Sequence, residues 1–236
     1  GLKFLAQCND AAFERNVQQL VALGAYSHRA LKELVRSTGI EYHRLERGIA
    51  HFYADQKSFD DAGLAVELMR KHGVQRRLVT RDELLKIEPA FRAYGDRITG
   101  GTYTSTDESG DARAFTEQLA ERCAARGVQF LYGHDVLRLN KVGGAIESVA
   151  VRANQPDAAG QKDQILQGDA IVVACGAYSA PLLRNVGVDL PIYPGKGYSA
   201  TFPILRPEAA PTVSALDDGR KIAISRLGNQ LRVAGT

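Results

Sequence analysis

An apolar run, Ile171-Val-Val-Ala-Cys175, follows the polar pair Gly168-Asp169, closes on Gly176 and leads at once into a short helical stretch. Apolar residues at every position, rather than every second one, predict a strand buried on both faces, the kind found at the centre of an α/β sheet. Such a strand delivers its backbone to a ligand at its carboxyl end. Gly176 suits that role because a residue without a Cβ lets another backbone or a cofactor come close. An ordinary core strand ending in a turn reads the same way from these residues alone. The segment Tyr193-Pro-Gly-Lys-Gly-Tyr-Ser199 just beyond it adds a second constraint.

With 236 residues, 44% of them hydrophobic and 24% charged, the chain is long enough to bury a substantial core in one domain or two. No apolar run approaches the roughly 20 residues that span a bilayer, and no signal peptide is visible. The net charge of +3 is spread along the sequence. Its densest basic cluster, Arg70-Lys71 with Arg76-Arg77, has no interleaved aromatic residue, so it reads as a solvated helix end and not as a nucleic-acid site. Cys8, Cys123 and Cys175 form no Cys-x-x-Cys pair, which disfavours a disulfide framework and a zinc site and suits a reducing cytoplasm. Cys123 and Cys175 read as small core residues, on a helix face and in the buried strand. The five histidines lack ligand spacing, so no metal is expected.

Along the chain, residues 11–37 carry Phe13, Val17, Leu20, Val21, Leu31, Leu34 and Val35 at helical spacing, with Gly39 as the stop. Arg47 to Tyr53 suits a strand with Ile49, His51 and Tyr53 on one face and Ala50 and Phe52 on the other. A helix is expected from about Ser58 to His72, ending at Gly73. Thr80-Arg-Asp-Glu83 has the form of a capping box, and the helix it opens must end near Pro89. Ile98 to Ser105 reads as a strand, Asp107 to Asp111 as a turn that caps a helix bearing Phe115, Leu119 and Cys123, and Gly127 as its stop. A strand over Val128 to Tyr132 is expected next, then a hairpin of Val136 to Leu139 and Ala145 to Arg152 turning at Gly143-Gly144. A polar loop (Asn154 to Gln164) leads to the apolar run. Tyr198 to Ile204 and an Ile222 to Val233 hairpin turning at Gly228-Asn229 are antiparallel in character.

Taken together, the Gly176 strand, Tyr193-Pro-Gly-Lys-Gly197 and Leu85-Lys-Ile-Glu-Pro-Ala-Phe91 resemble the flavin-dependent D-amino acid oxidase/dehydrogenase superfamily, and within it the small, catalytic subunits of bacterial D-amino acid dehydrogenase. The resemblance covers the chain, strongest over 100–130, 171–202 and 221–235. It implies an α/β and α+β architecture: an FAD/NAD(P)-binding-type nucleotide domain, incomplete here, plus a substrate domain of mainly antiparallel sheet with helices on one side. The expected boundaries are 1–101 for the first part of the substrate domain, 102–184 for part of the FAD-binding domain, and 185–236 for the rest of the substrate domain. No Gly-x-Gly-x-x-Gly is present, the chain opens at Gly1 with its single methionine at Met69, and it closes at Thr236 in what reads as mid-strand. It is therefore expected to be the interior of a longer polypeptide, and inactive as an isolated fragment.

The implied activity is FAD-dependent oxidative deamination of D-amino acids such as D-alanine to 2-oxo acids and ammonia, by hydride transfer to flavin. Electrons then pass to a quinone or other respiratory acceptor, as in bacterial amino acid catabolism. The implied location is cytoplasmic, with possible peripheral association at the inner face of the plasma membrane. A related oxidoreductase of glycine, sarcosine or D-hydroxyproline, and a non-catalytic binding module, are the alternatives. By the same resemblance Val136 matches a position whose backbone contacts the FAD adenine, although a core valine on a meander strand reads equally well. Ala174, Cys175 and Gly176 match small residues near the FAD ribose and pyrophosphate. Lys196 reads either as a cation near the isoalloxazine or as a turn lysine paired with an acid. Ile222 falls where some relatives place a substrate-contacting tyrosine, so a hydroxyl contact is lacking there. Arg226 is a candidate partner for a substrate carboxylate, or a solvent-facing hairpin arginine. His51 and Tyr53 are candidate pocket residues, or a core or surface pair.

Overall fold

The computed structural model describes residues 2–154 and 162–235. In chain order it begins α1 (Leu2–Leu5), α2 (Asp10–Thr38), β1 (Ile49–Tyr53), α3 (Gln56–Lys71), β2 (Arg76–Thr80) and α4 (Arg81–Ile87). A 3-10 stretch (Pro89–Arg97), β3 (Gly100–Thr104), α5 (Ala112–Ala124), β4 (His134–Val142), β5 (Ala145–Ala153) and β6 (Gln164–Gln167) follow. A 3-10 turn (Gly176–Tyr178), α6 (Ser179–Arg184), β7 (Tyr198–Pro203), β8 (Ser214–Asp217), β9 (Ile222–Leu227) and β10 (Gln230–Gly235) complete it. Two units result, one of Gly1–Ala125 with Gly197–Thr236 and one of Arg126–Lys196.

The first unit is built on a seven-stranded sheet of order β2-β3-β1-β8-β9-β10-β7. Among the described residues only the β1–β8 pairing is parallel. Alternation along β1 sends Ala50 and Phe52 into a core shared with Val79, Leu84, Phe91 and Ala215. Phe59 of α3 meets Tyr53 on the opposite face. Glycine lets β3 lie close to β1: a Cβ at Gly101 would sit 2.5 Å from the His51 carbonyl oxygen. Glu88, only 2% exposed, caps the end of α4. Its carboxylate accepts from the backbone N–H of Ala90 at 3.0 Å, Thr212 at 2.6 Å and Val213 at 2.8 Å. The Leu85 to Phe91 segment thus fastens the 3-10 stretch to the entry of β8.

The helix stops follow the sequence. Gly39 takes a left-handed φ of 63° and returns its N–H to Val35, and Asn9 caps the other end of α2 through Ala12. In α4 both arms of the capping box form: Thr80 Oγ1 accepts from Glu83 N at 3.2 Å, and Glu83 Oε2 accepts from Thr80 N at 2.8 Å.

In the second unit β4-β5-β6 form an antiparallel sheet. The β4–β5 hairpin turns at Gly143 and Gly144, with φ of 58° and 92°, the pair of positive values that a tight turn between twisted strands requires. Of the polar loop expected over Asn154 to Gln164, residues 155–161 lie outside those described.

Several expectations fail here. Ile171 to Cys175 is not a strand: it is irregular, Val172 is 88% exposed, and Cys175 is exposed instead of in a core. Val128 to Tyr132 is irregular as well, with Val128, Leu131 and Tyr132 exposed. An apolar run becomes a strand only when neighbouring strands accept its backbone hydrogen bonds, and among the described residues no strand pairs with either segment. Arg76-Arg77 is no helix end. It opens β2, and Arg76 is half-buried, donating from Nε to Thr104 Oγ1 at 3.1 Å. The β-branched and aliphatic Leu78-Val79 beside it overrides the charge. Strand β8 has no clear signal in the sequence, since Ser214-Ala-Leu-Asp217 is short and without marked alternation. Phe13 and Leu20, on the apolar stripe of α2, are exposed.

Candidate functional sites

In the second unit, the chemistry gathers where β4 meets the turn at Gly176. Strand β4 is the edge of its sheet, so part of its backbone hydrogen-bonding capacity is not consumed by β5. Val136 pairs with Val151 and Arg138 with Ala150, which leaves Leu137 as the extra residue of a bulge. Gly176 adopts φ 55°, and a Cβ there would touch nothing within 4 Å. Glycine is needed at this point for its backbone conformation and not for space. The Cys175 N–H donates to Ser179 Oγ at 3.1 Å and so fixes the entry to α6. A cleft of about 410 Å³ is lined by His134, Asp135, Val136, Cys175, Tyr178 and Leu182.

Val136 and Cys175, 39 residues apart in sequence, thus share one cleft that Gly176 borders. Ala174 immediately precedes Cys175 and is exposed. The lining offers aliphatic walls, one tyrosine ring and two polar side chains, with no lysine or arginine. That donor set fits the neutral adenosine end of a dinucleotide and not its phosphates. Lys196 is exposed at the end of this unit.

In the first unit a second group forms around His51. Its Nδ1 lies 3.8 Å from Asp218 Oδ1, and its Nε2 lies 3.5 Å from Arg76 Nη2. Lys221 Nζ donates to Asp218 Oδ2 at 3.1 Å. Burial, then the Arg76 charge, hold the His51 imidazole below its ordinary range, with Asp218 opposing. Burial, reinforced by Asp218, pushes the Tyr53 hydroxyl up. Ile222 begins β9 opposite Asp217, next to this cluster in the strand register. Arg226 stands apart: its Nε donates to the Gly228 carbonyl at 3.1 Å and its Nη1 to the Pro207 carbonyl at 3.2 Å. Its guanidinium is engaged by the hairpin turn and by the Pro207 carbonyl outside the hairpin.

Arg76, Asp218 and Lys221 are the members of this group that the sequence alone did not mark as site residues. Asp217-Asp218-Gly219 carried a turn signal, but nothing in the spacing announced that a parallel β1–β8 pairing would bring it to His51.

Against known proteins, a family model described as FAD dependent oxidoreductase (DAO) matches residues 6–236. A D-amino acid dehydrogenase of Dechloromonas aromatica is 45% identical over the whole chain, which covers 55% of that protein. One from Paramagnetospirillum magneticum is 40% identical, again over the whole chain and 54% of the relative. The chain therefore spans about half the length of the curated relatives it matches. The crystal structure of glycine oxidase from Geobacillus kaustophilus superimposes with a TM-score of 0.71 over 92% of this chain and 56% of that one, at 22% identity, a likeness of fold.

Proposed function

The chain belongs to the DAO family of FAD-dependent oxidoreductases, and from that premise we propose that it serves the FAD-dependent oxidative deamination of D-amino acids. The observation that carries the reading is the cleft that joins Val136 and Cys175 beside the left-handed turn at Gly176. In this reading the bulged edge strand presents backbone groups at Val136 to the adenine, and Ala174, Cys175 and Gly176 leave room for the ribose. When bound, FAD supplies the hydride acceptor at its flavin ring. His51, Tyr53 and Ile222 line the substrate side, where the Asp218–His51–Arg76 chain holds the imidazole in place. Lys196 supplies a positive charge toward the flavin, which favours its reduction. Residues 1–101 and 185–236 then serve as the substrate domain and 102–184 as part of the FAD-binding domain.

The substrate class comes from the relatives named D-amino acid dehydrogenase, at 45% and 40% identity. Electrons pass on to a quinone or another respiratory acceptor, with the protein peripheral to a membrane. Among the described residues no helix is long and apolar enough to cross one.

The test is dye-coupled oxidation of D-alanine and L-alanine by the longest polypeptide its gene encodes, with the flavin spectrum recorded alongside. A yellow protein bleached by D-alanine and not by L-alanine is the expected result. A colourless preparation that cannot be loaded with FAD overturns the reading.

A further inference from the structure

Away from both groups, several of the buried polar atoms that make no hydrogen bond among the described residues fall close together in the first unit: both carboxylate oxygens of Glu108, the hydroxyls of Tyr42 and Ser109, and His28 Nε2. Tyr42, Glu108 and Ser109 line one pocket of about 240 Å³, and His28 Nε2 lies 3.7 Å from Glu108 Oε1. The Glu108 side chain is only 8% exposed. Its nearest cations stand too far for hydrogen bonds. Arg44 Nη1 is 3.9 Å from Oε2 and lies nearer to Glu46, at 3.5 Å, which also draws Lys32 at 3.7 Å. A buried carboxylate with neither oxygen hydrogen-bonded is costly. Native structures resolve that cost with a hydrogen-bond partner, from the protein, from water or from a bound ion.

The shape of the pocket says what kind of partner. Its remaining walls are Leu31, Ala112 and Phe115, and the Tyr42 and Phe115 rings meet edge to face with centroids 5.3 Å apart. Gly110 is required by this arrangement, because a Cβ there would run into the Tyr42 ring. One water in the liquid occupies about 30 Å³, so the pocket holds more than a single solvent molecule. A carboxylate only accepts hydrogen bonds, and the two hydroxyls can accept as well. What is missing is a compact donor with a positive charge.

We propose that this pocket binds a small primary ammonium ion that carries a short apolar group. The three N–H donors meet Glu108 and the Tyr42 and Ser109 hydroxyls, and the charge faces two aromatic rings. The apolar tail lies against Leu31 and Phe115. A neutral alcohol would answer the hydroxyls but bring no charge to the carboxylate, whose cation Arg44 stands 3.9 Å away and is shared with Glu46. The pocket shares no residue with the Val136 cleft or the His51 group, so the inference does not rest on the proposed deamination.

Calorimetric titration of the longest polypeptide its gene encodes with propylammonium chloride, with propanol and sodium chloride run in parallel, tests it. Saturable one-site binding of propylammonium, absent with propanol and with sodium, is expected, and Glu108→Gln should weaken it about tenfold. Absence of saturation, equal binding of propanol, or an unchanged affinity in a folded Glu108→Gln variant would each overturn the proposal. Should that variant not fold, Ser109→Ala takes its place: a several-fold loss supports the site, and no change overturns it.

Discussion

At the scale of single residues, charge and burial act together most clearly at His51. The imidazole is held below its ordinary value of 6.5 by burial first and by Arg76 second, while Asp218 pulls the other way and Lys221 adds to the depression. With its folded value depressed, the unfolded chain binds more protons than the folded one as pH falls through that ordinary value. Stability contributed by neutral His51 is therefore complete above the window and is lost below it. Thermal melts recorded from about pH 7 down to about pH 5 should show a falling melting temperature, with a shallower fall in His51→Gln. Equal slopes in the two proteins would mean that other groups carry the acid sensitivity. Glu88 is the contrasting case. It was legible as part of a family-like Glu-Pro segment, but its work is structural, since three backbone N–H groups converge on its carboxylate.

Elements show where local chemistry is sufficient. The α4 capping box needs only Thr80 and Glu83, three residues apart, and both of its hydrogen bonds form. Because α4 carries Leu84, which is fully buried in the core, fraying at the cap is felt by the sheet. Thr80→Ala should lower unfolding stability by about 1 kcal/mol and Thr80→Ser by much less, as read from urea unfolding midpoints. The β4–β5 and β9–β10 hairpins likewise follow from Gly143-Gly144 and from Gly228, with φ of 62°, between alternating strands. Strand β2 is masked in the sequence because Arg76-Arg77 has the composition of a solvated segment; only pairing with β3 turns the Arg76 side chain inward to Thr104.

Across the molecule, the two units are secured differently. The first has a seven-stranded sheet packed on a continuous apolar core. The second has three strands, and the run from Ile171 to Ala174 donates no backbone hydrogen bond within the described residues. Hydrogen exchange on this chain should therefore find the amides of β1 and β3 among the slowest. Those of 172–174 should exchange at close to the rate of an unfolded peptide. Slow exchange at 172–174 would show that the run finds strand partners after all.

What the sequence determined by itself is whatever depends on neighbours a few residues away: helix stops at glycines, caps at Asn9, Thr80 and Asp111, hairpin turns, and the type of most elements. It also carried the family, because short motifs such as Tyr193 to Ser199 keep their residues whatever surrounds them. Tertiary structure decided the rest. A parallel β1–β8 pairing placed Asp218 beside His51, and the fold brought Val136 and Cys175 to one cleft. The packing around Tyr42 left Glu108 buried without a hydrogen bond. The apolar run that constrained the chain most strongly as a sequence stayed irregular, because strand geometry is conferred by a partner's hydrogen bonds and hydrophobicity alone cannot supply them.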